Sequence, residues 1–416
     1  MKLRLFGLTA TLMLALSAMA DTSTYDRQEP FGFCTRSSRT DANSTYDITG
    51  GGCYQYPVTG VSDDRVVTLT STGEDMKDDI IEAIKNYDVI IFNGSKGDFI
   101  VSSTIQLNSV SGKTLLGINK ARLCTRWYIT PEIIEALNQA GVPNMSTKGG
   151  TGGIMTNGNQ VGEEAEFNTR QTIINMTGDN QEQYRRSGIF AFRGCQNLII
   201  RNLMFLGPGS IDVGGHDLIS FIGTKNCWVD HCDFIDGMDG NFDITQKSDF
   251  NTISWCTFSY TERSYMHQNT NLIGFSDREM PGFLNTTYAF NQWGANCRAR
   301  MPMGRVGKVH MLNNYYTAVN AVNCINPRKN SEFLIEGNYF ETGVTNIYGQ
   351  KEAIAVTWGD NNYSAENVEK PVSFGDTVTV PYTYTVADVR LIPIEVSTYA
   401  GATLYGNGQK IVLKKK

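Results

Sequence analysis

The sequence lacks an excess of positive charge, since its 416 residues carry a formal net charge of −6. Nucleic-acid-binding proteins generally present a basic field, so this charge argues against general nucleic-acid binding. The chain also has no Cys-x-x-Cys pair and no Cys/His cluster with the spacing of a zinc site. After residue 20, no apolar run is long enough to cross a membrane. Any anionic ligand must therefore meet a local basic patch.

The N-terminus has the pattern of a cleavable secretory signal. Lys2 and Arg4 precede an apolar run, Leu5–Leu16, and small residues follow up to Ala20. We expect cleavage between Ala20 and Asp21, a secreted or periplasmic protein with no membrane span, and a monomer.

The nine cysteines are an odd number for a protein that leaves the cytoplasm. Cys34 and Cys53 flank a Ser/Thr/Asp/Gly-rich loop, which predicts a disulfide between them. Most of the others fall in apolar, strand-like runs, where a cysteine is predicted to be a small buried hydrophobe.

Two helices are predicted in the first half. Asp75–Lys85 has apolar residues on one face, and a second helix begins at Thr130-Pro131 and ends at Gly141. The Gly/Asn-rich stretch Gly149–Glu164 predicts a mobile insertion.

The second half contains a repeat. Six short apolar runs each end in an aromatic residue, at successive offsets of 29, 24, 35, 23 and 24 residues: Phe205, Phe234, Phe258, Trp293, Tyr316 and Phe340. Two residues before the last three of these stand asparagines, and five residues before every one stands an apolar residue: Asn291, Asn314 and Asn338; Ile200, Val229, Ile253, Tyr288, Met311 and Ile335.

Such a period indicates a solenoid, and repeats made of short strands and turns indicate a parallel β-helix. Like residues would then stack at about 4.8 Å, giving an aromatic ladder and an asparagine ladder. The Asp75–Lys85 helix would cover the open N-terminal end. A propeller is the alternative, although it needs hairpin turns within each repeat, and the sequence has few turn pairs of that kind.

The stretch from Cys297 to Tyr316 carries three arginines. Arg300 and Arg305 lie five residues apart, and Arg298 adds a third charge. Guanidinium groups fixed at a strand edge suit recognition of planar carboxylates. A basic turn on a solvated surface is the alternative.

Three carboxylates precede these arginines. Asp217 belongs to one predicted coil, while Asp239 and Asp243 belong to the next, so the three can converge. Converging oxygen ligands without His or Cys suit a hard cation, above all calcium. Alternatively, each aspartate caps a turn in a Gly/Asn-rich loop.

Several of these motifs resemble polysaccharide lyase family 1, the pectate and pectin lyases. They are WVDHCDF, DGNFDIT, FNTISWCTF and RMPMGRVGKVHMLNNYY, in that order. The resemblance is strong from Ser187 to Phe340, weaker in the N-terminal coils, and returns at Tyr382–Val389. It implies an all-β, right-handed parallel β-helix over residues 21–416, with an unmatched insertion at 126–186 and a C-terminal branch at 369–416.

The resemblance also implies a function, namely cleavage of polygalacturonate by β-elimination. Arg300 would be the base that removes the C5 proton, with Arg305 binding the substrate carboxylate and Lys247 and Arg298 as further substrate contacts. Asp217, Asp239 and Asp243 would hold Ca²⁺, which favours pectate over pectin, because pectin lyases of the family lack the calcium carboxylates.

The chain departs from the family pattern at three positions. Gly215 stands where the family often has an acidic residue, Asn269 where a lysine is expected, and Thr245 where a basic residue is usual. Lys247 could replace the third, and Arg263 or His267 could partly replace the lysine. The alternatives are a pectin lyase, a β-helix glycoside hydrolase on a pectic polymer, and a non-catalytic carbohydrate-binding β-helix.

Overall fold

The computed structural model describes residues 29–142, 160–294 and 296–405, with side chains of the helix that begins at Gln160 described from residue 164 onward. Within these ranges, 25 strands numbered in chain order form three sheets. The ten-stranded sheet holds β1 (Val66–Thr70), β2 (Val89–Asn93), β5 (Ser111–Ile118), β8 (Gln196–Arg201), β11 (Lys225–Asp230), β14 (Asp249–Ser254), β17 (Thr286–Ala289), β20 (Lys308–Leu312), β23 (Glu332–Glu336) and β25 (Ala355–Trp358). The seven-stranded sheet holds β4 (Ile105–Asn108), β7 (Phe190–Arg193), β10 (Ile219–Ile222), β13 (Phe242–Thr245), β16 (Asn271–Ile273), β19 (Met303–Gly304) and β22 (Asn326–Pro327). The eight-stranded sheet holds β3 (Phe99–Val101), β6 (Arg122–Thr125), β9 (Met204–Leu206), β12 (Asp233–Ile235), β15 (Thr257–Ser259), β18 (Gln292–Trp293), β21 (Tyr315–Tyr316) and β24 (Tyr339–Phe340).

Neighbouring strands in each sheet come from successive coils. β11, for example, pairs in parallel with β8 on one side and β14 on the other. Successive coils of the chain contribute strands to the three sheets, and each strand pairs with the equivalent strand of the neighbouring coil. This is the path of a parallel β-helix. That prediction is confirmed, and the propeller alternative is wrong.

Both predicted ladders are present. Neighbouring rings from Phe205 to Phe340 are stacked, with centroids 4.5–5.4 Å apart. Asn291 Nδ2 donates to Asn314 Oδ1 (3.1 Å), and Asn314 Nδ2 donates to Asn338 Oδ1 (2.9 Å). Asn362 adds a fourth rung, accepting from Asn338 Nδ2 at 3.0 Å. These bonds satisfy side-chain amides that the core has removed from water.

In the part of the chain that the structure describes, four α-helices accompany the coils: α1 (Lys77–Asn86), α2 (Pro131–Gln139), α3 (Gln160–Thr177) and α4 (Ile392–Tyr399). The two predicted in the first half are confirmed. In α1, Ile80 and Ile84 are buried in the main core, and in α2 the N-cap hydroxyl of Thr130 accepts from the Ile133 amide at 3.3 Å.

The predicted Cys34–Cys53 disulfide is wrong, because both are free buried thiols. The Cys34 amide is held by Thr252 on β14, whereas Gly51, close to Cys53, is held by Thr114 on β5. Two strands separate β5 from β14 in the sheet, so these two strands lie roughly 14 Å apart at 4.8 Å per strand. A disulfide needs Cα atoms within about 7 Å of each other. The other seven cysteines are buried as well, as predicted for small hydrophobes.

Three predicted segments lie wholly or partly outside the described residues: the signal at Met1–Ala20, the part of the predicted mobile stretch Gly149–Glu164 up to residue 159, and the last eleven residues of the C-terminal branch. Residues 160–164 of the predicted mobile stretch lie in α3 instead. No helix in the described ranges combines the length and the apolar character needed to cross a membrane. In the described part of the branch, the Tyr382 ring is in edge contact with Phe33, and the Tyr382 hydroxyl lies 2.7 Å from Thr287 Oγ1 on β17.

Candidate active site

Asp217 and Asp243 converge because their strands are neighbours. β10 pairs with β13 so that Ser220 lies opposite Asp243, and the Ser220 hydroxyl donates to Asp217 Oδ2 at 3.0 Å. A Cβ built on Gly240 would lie 2.8 Å from Asp217 Oδ1 and 3.3 Å from Asp243 Oδ1. A side chain at position 240 would therefore crowd both carboxylate oxygens.

The carboxylates repel one another. Burial and repulsion from Asp239 raise the pKa of Asp243 to about 7, although Arg300 opposes the rise. Burial also raises the pKa of Asp217 well above its ordinary value, and Asp243 and Asp239 raise it further. Negative charge on both carboxylates is therefore unfavourable, because nearby protein groups balance it only partly.

The donor set fits a hard divalent cation. Asp217 Oδ1 is buried without a hydrogen-bond partner among the described residues, and so is Asn269 Oδ1. The Asn269 backbone oxygen lies 3.4 Å from the same Cβ position on Gly240. Buried oxygen atoms that lack donors, beside several carboxylates, have the chemistry that calcium selects.

His267 lies between two carboxylates, which the sequence pattern did not reveal. Its Nδ1 atom is 3.5 Å from Asp212 Oδ2, and its Nε2 atom is 3.3 Å from Asp239 Oδ1. Burial alone would lower the pKa of His267, but the hydrogen bonds to Asp212 and Asp239 outweigh it and raise the pKa to about 9. These three residues also form the one His/Cys/Asp/Glu group, within the described ranges, whose ligand atoms all lie within 4.8 Å of one another.

The structure explains one departure from the family pattern. A Cβ on Gly215 would lie 2.3 Å from Met238 Sδ, so an acidic side chain there would require the Met238 side chain to move. At the second departure, Asn269 is buried, and its Nδ2 atom lies 3.2 Å from His267 Nε2. The position where the family has lysine therefore contacts a histidine.

Arg300 lies beside the carboxylates, close enough that its charge lowers the pKa of both Asp217 and Asp243. Its backbone has a left-handed φ of 61°, a conformation that costs a non-glycine residue of order 1 kcal/mol. Its carbonyl accepts from the Asn271 amide at 2.7 Å, which anchors this turn to the coil of β16.

The other predicted basic residues differ in their surroundings. Arg305 Nε lies 2.8 Å from Asp277 Oδ1, and its Nη1 donates to the Gly274 carbonyl at 2.8 Å. The Lys247 Nζ atom lies 6.0 Å from the centroid of the Phe283 ring. Arg298 is only 4% exposed, and burial lowers its pKa. Arg298 and Lys247 as substrate contacts stay predictions.

Comparisons with known proteins converge on one family. A family model described as pectate lyase matches residues 143–403. Pectate lyase A of Aspergillus niger is 33% identical over 219 residues, which are 50% of this chain and 63% of that protein. The pectate trisaccharide-lyase of Thermotoga maritima is 34% identical over 138 residues, 31% of this chain and 36% of that protein. The chain thus spans less than two thirds of the length of these relatives.

Solved structures show the same fold. Pectate lyase II of Xanthomonas campestris superposes with a TM-score of 0.52 at 19% identity, covering 92% of this chain and all of that chain. A Bacillus subtilis pectate lyase gives 0.52 at 15% identity, with the same coverage. At these identities the likeness shows the fold alone, the right-handed parallel β-helix that the sequence predicts.

Proposed function

This chain belongs to the pectate lyase family, and on that premise we propose that it is a secreted, calcium-dependent lyase that cleaves α-1,4-linked polygalacturonate by β-elimination. Its products are unsaturated oligogalacturonides. The observation that carries the proposal is the position of Arg300 beside Asp217 and Asp243, where its charge offsets part of the rise in their pKa values. A cationic group next to a carboxylate cluster is what a polyuronate and a calcium ion together need.

Asp217, Asp239 and Asp243 are the proposed calcium ligands. For Asp217 and Asp243, burial, the raised pKa values and the unpartnered Asp217 Oδ1 support this assignment. Calcium bound there would offset their charge and stabilise the negative charge that develops on the uronate carboxylate.

Arg300 is the proposed base. It removes the C5 proton, the C5–H electron pair forms the C4–C5 double bond, and the C4–O4 bond breaks with its electrons on O4. The high ordinary pKa of arginine makes this role demanding, since the guanidine must be neutral to accept a proton. Arg305 binds a substrate carboxylate through its planar guanidinium. Its positive charge also disfavours a positive charge on Arg300, which must be neutral to act as the base.

Hydrolysis is the second candidate, because the raised pKa values of Asp217 and Asp243 would also suit carboxyl groups that act as acids. The two reactions give different products and differ in their need for a divalent cation. Polygalacturonate, methylated pectin and rhamnogalacturonan should each be incubated with the protein, with calcium or with chelator. Ultraviolet absorbance reports the unsaturated product, and a reducing-end assay reports every cleavage.

We expect absorbance to rise with polygalacturonate and calcium and to stop in chelator. New reducing ends without absorbance would identify a hydrolase. Absorbance that appears only with methylated pectin and is insensitive to chelator would identify a pectin lyase. No cleavage of any of the three polymers would favour the non-catalytic carbohydrate-binding alternative.

A further inference from the structure

The side chains of Asp212, His267 and Asp239, from three separate loops, form a row that ends at one of the proposed calcium ligands, Asp239. His267 contacts Asp212 through Nδ1 (3.5 Å) and Asp239 through Nε2 (3.3 Å). The Asp212 side chain is 7% exposed and that of His267 10%, whereas that of Asp239 is 33% exposed. The buried pair therefore holds one oxygen of a carboxylate that is otherwise open to solvent.

The backbones of these loops are tied to one another next to each member of the row. The Ile211 amide donates to the Met238 carbonyl at 3.1 Å, and the Tyr265 amide donates to the Ser210 carbonyl at 3.0 Å. The Ser210 hydroxyl donates to the His267 carbonyl at 2.6 Å. A shift of any one loop would thus move the other two.

The described parts of the insertion, residues 126–142 and 164–186, pack on the residues that flank the row. A separate hydrophobic cluster joins the insertion to these loops. Its buried members are Ile129, Ile133, Leu137, Val142, Ile173, Tyr184, Ile211, Val213, Met238, Tyr265 and Met266. Ile211 and Val213 flank Asp212 in the sequence, Met238 precedes Asp239, and Met266 precedes His267. The insertion therefore buries the immediate neighbour of every member of the row.

Polar contacts reinforce this packing. The Tyr265 hydroxyl lies 2.7 Å from the Val142 carbonyl and 2.9 Å from the Asn138 side-chain oxygen. The Ile129 amide donates to the Pro208 carbonyl at 2.8 Å. The same cluster contains Met238, which occupies the space that a side chain at Gly215 would need.

We propose that the described parts of the insertion, residues 126–142 and 164–186, position the Asp239 carboxylate for calcium through Tyr265 and the Asp212–His267 pair. The inference rests on the proposed function, since it assigns Asp239 to the calcium site. Asp212 and His267 are positioning residues that act through Asp239. In this chain Met238 occupies the space next to Gly215, and the pair takes over the role that an acidic residue at this position has elsewhere in the family. Outer-shell partners of this kind commonly change metal affinity by 10- to 100-fold.

Two variants test this chain of contacts in the full-length protein. Asp212→Asn keeps the size of the side chain but removes the charge that faces His267. Tyr265→Phe removes the hydroxyl that reaches the insertion and touches no carboxylate. The matched control is Tyr184→Phe, because Tyr184 belongs to the same cluster but its buried hydroxyl has no hydrogen-bond partner among the described residues.

Calcium affinity is measured by titration calorimetry without substrate, and Tm is measured in chelator. We expect the calcium Kd to rise on the order of 10-fold in Asp212→Asn and about fivefold in Tyr265→Phe, the loss of one net hydrogen bond. Tyr184→Phe should keep the wild-type Kd. At saturating calcium, kcat on polygalacturonate should return close to the wild-type value in both test variants.

A wild-type Kd in both test variants would overturn the inference, even if their Tm in chelator falls, since that would be a purely structural effect. An equal rise of the Kd in Tyr184→Phe would also overturn it. If the wild-type protein binds calcium and cleaves polygalacturonate while the variants are unchanged, this inference alone fails. If the wild-type protein binds no calcium, the proposed function fails with it.

Discussion

The Arg305 Nε atom lies 2.8 Å from the Asp277 Oδ1 atom, and Asp277 stands on the loop between β16 and β17. The Asp277 side chain is 66% exposed, whereas that of Arg305 is 16% exposed. A carboxylate of the protein thus pairs with the guanidinium that is proposed to bind the substrate carboxylate. A uronate carboxylate would compete with Asp277 for the same donor.

Asp277→Asn should therefore lower KM for polygalacturonate. An exposed ion pair contributes about 0–1 kcal/mol, so the expected decrease in KM is up to about fivefold, with kcat unchanged. Steady-state kinetics at saturating calcium gives both numbers. The control is Asp376→Asn, a change of the same kind at an exposed aspartate. An unchanged or higher KM in Asp277→Asn would show that Asp277 does not compete with the substrate.

Calcium should stabilise the folded protein as well as support turnover, because it would relieve the repulsion among Asp217, Asp239 and Asp243. A ligand present at 100 times its Kd adds about 2.7 kcal/mol to the free energy of unfolding. Differential scanning calorimetry should show a Tm several degrees higher in calcium than in chelator. Asp243→Asn should remove most of that difference, and a calcium-induced shift of wild-type size in this variant would argue against the metal assignment.

Asp230→Asn should destabilise the fold without touching the proposed site. Arg201 and Asp230 form a fully buried ion pair, with Arg201 Nε 2.8 Å from Asp230 Oδ2. The substitution leaves a buried guanidinium without its counter-charge, which costs about 3–5 kcal/mol. The midpoint of urea unfolding should fall accordingly. Asp388→Asn, in an exposed pair with Arg390, should leave the midpoint unchanged.

The buried Asp230 should also make the stability of the protein depend on pH. Burial alone would raise the pKa of Asp230, but His231 and Arg201 hold it below the ordinary value of 3.8. Its contribution to stability is therefore fully present above about pH 4 and is lost as the pH falls through the folded-state pKa. The urea midpoint of the wild-type protein should fall over that acid range, and that of Asp230→Asn should fall less steeply.

The coils could be predicted from the sequence because a β-helix repeats one chemical pattern at one position of each turn. Asn291, Asn314 and Asn338 give the asparagine ladder directly. Asn362 was missed although it follows Asn338 by 24 residues, because the aromatic residue expected at position 364 is Ser364. The periodic signal ends there, while the hydrogen-bonded column continues.

The convergence of Asp217 with Asp243 was predictable for the same reason, since both flank strands of neighbouring coils. The place of His267 was not. Residues 260–270 form a loop with no repeat, and its path depends on hydrophobic contacts with the insertion. The Asp212–His267–Asp239 row therefore follows from tertiary packing that no local pattern encodes. The Cys34–Cys53 prediction failed similarly, because chain proximity says little about which strands hold each loop.

The turnover of Arg300→Lys on polygalacturonate tests the central claim most directly. Lysine keeps the positive charge but not the reach or planar geometry of the guanidine, so kcat, measured by ultraviolet absorbance, should fall by at least about 100-fold. The calcium Kd and KM should stay near their wild-type values. Arg65→Lys, at the first coil and paired with Asp88, is the matched control and should keep wild-type kcat. Near-normal formation of unsaturated product by Arg300→Lys would contradict the account and leave Arg298, Arg263 or Lys247 as the base.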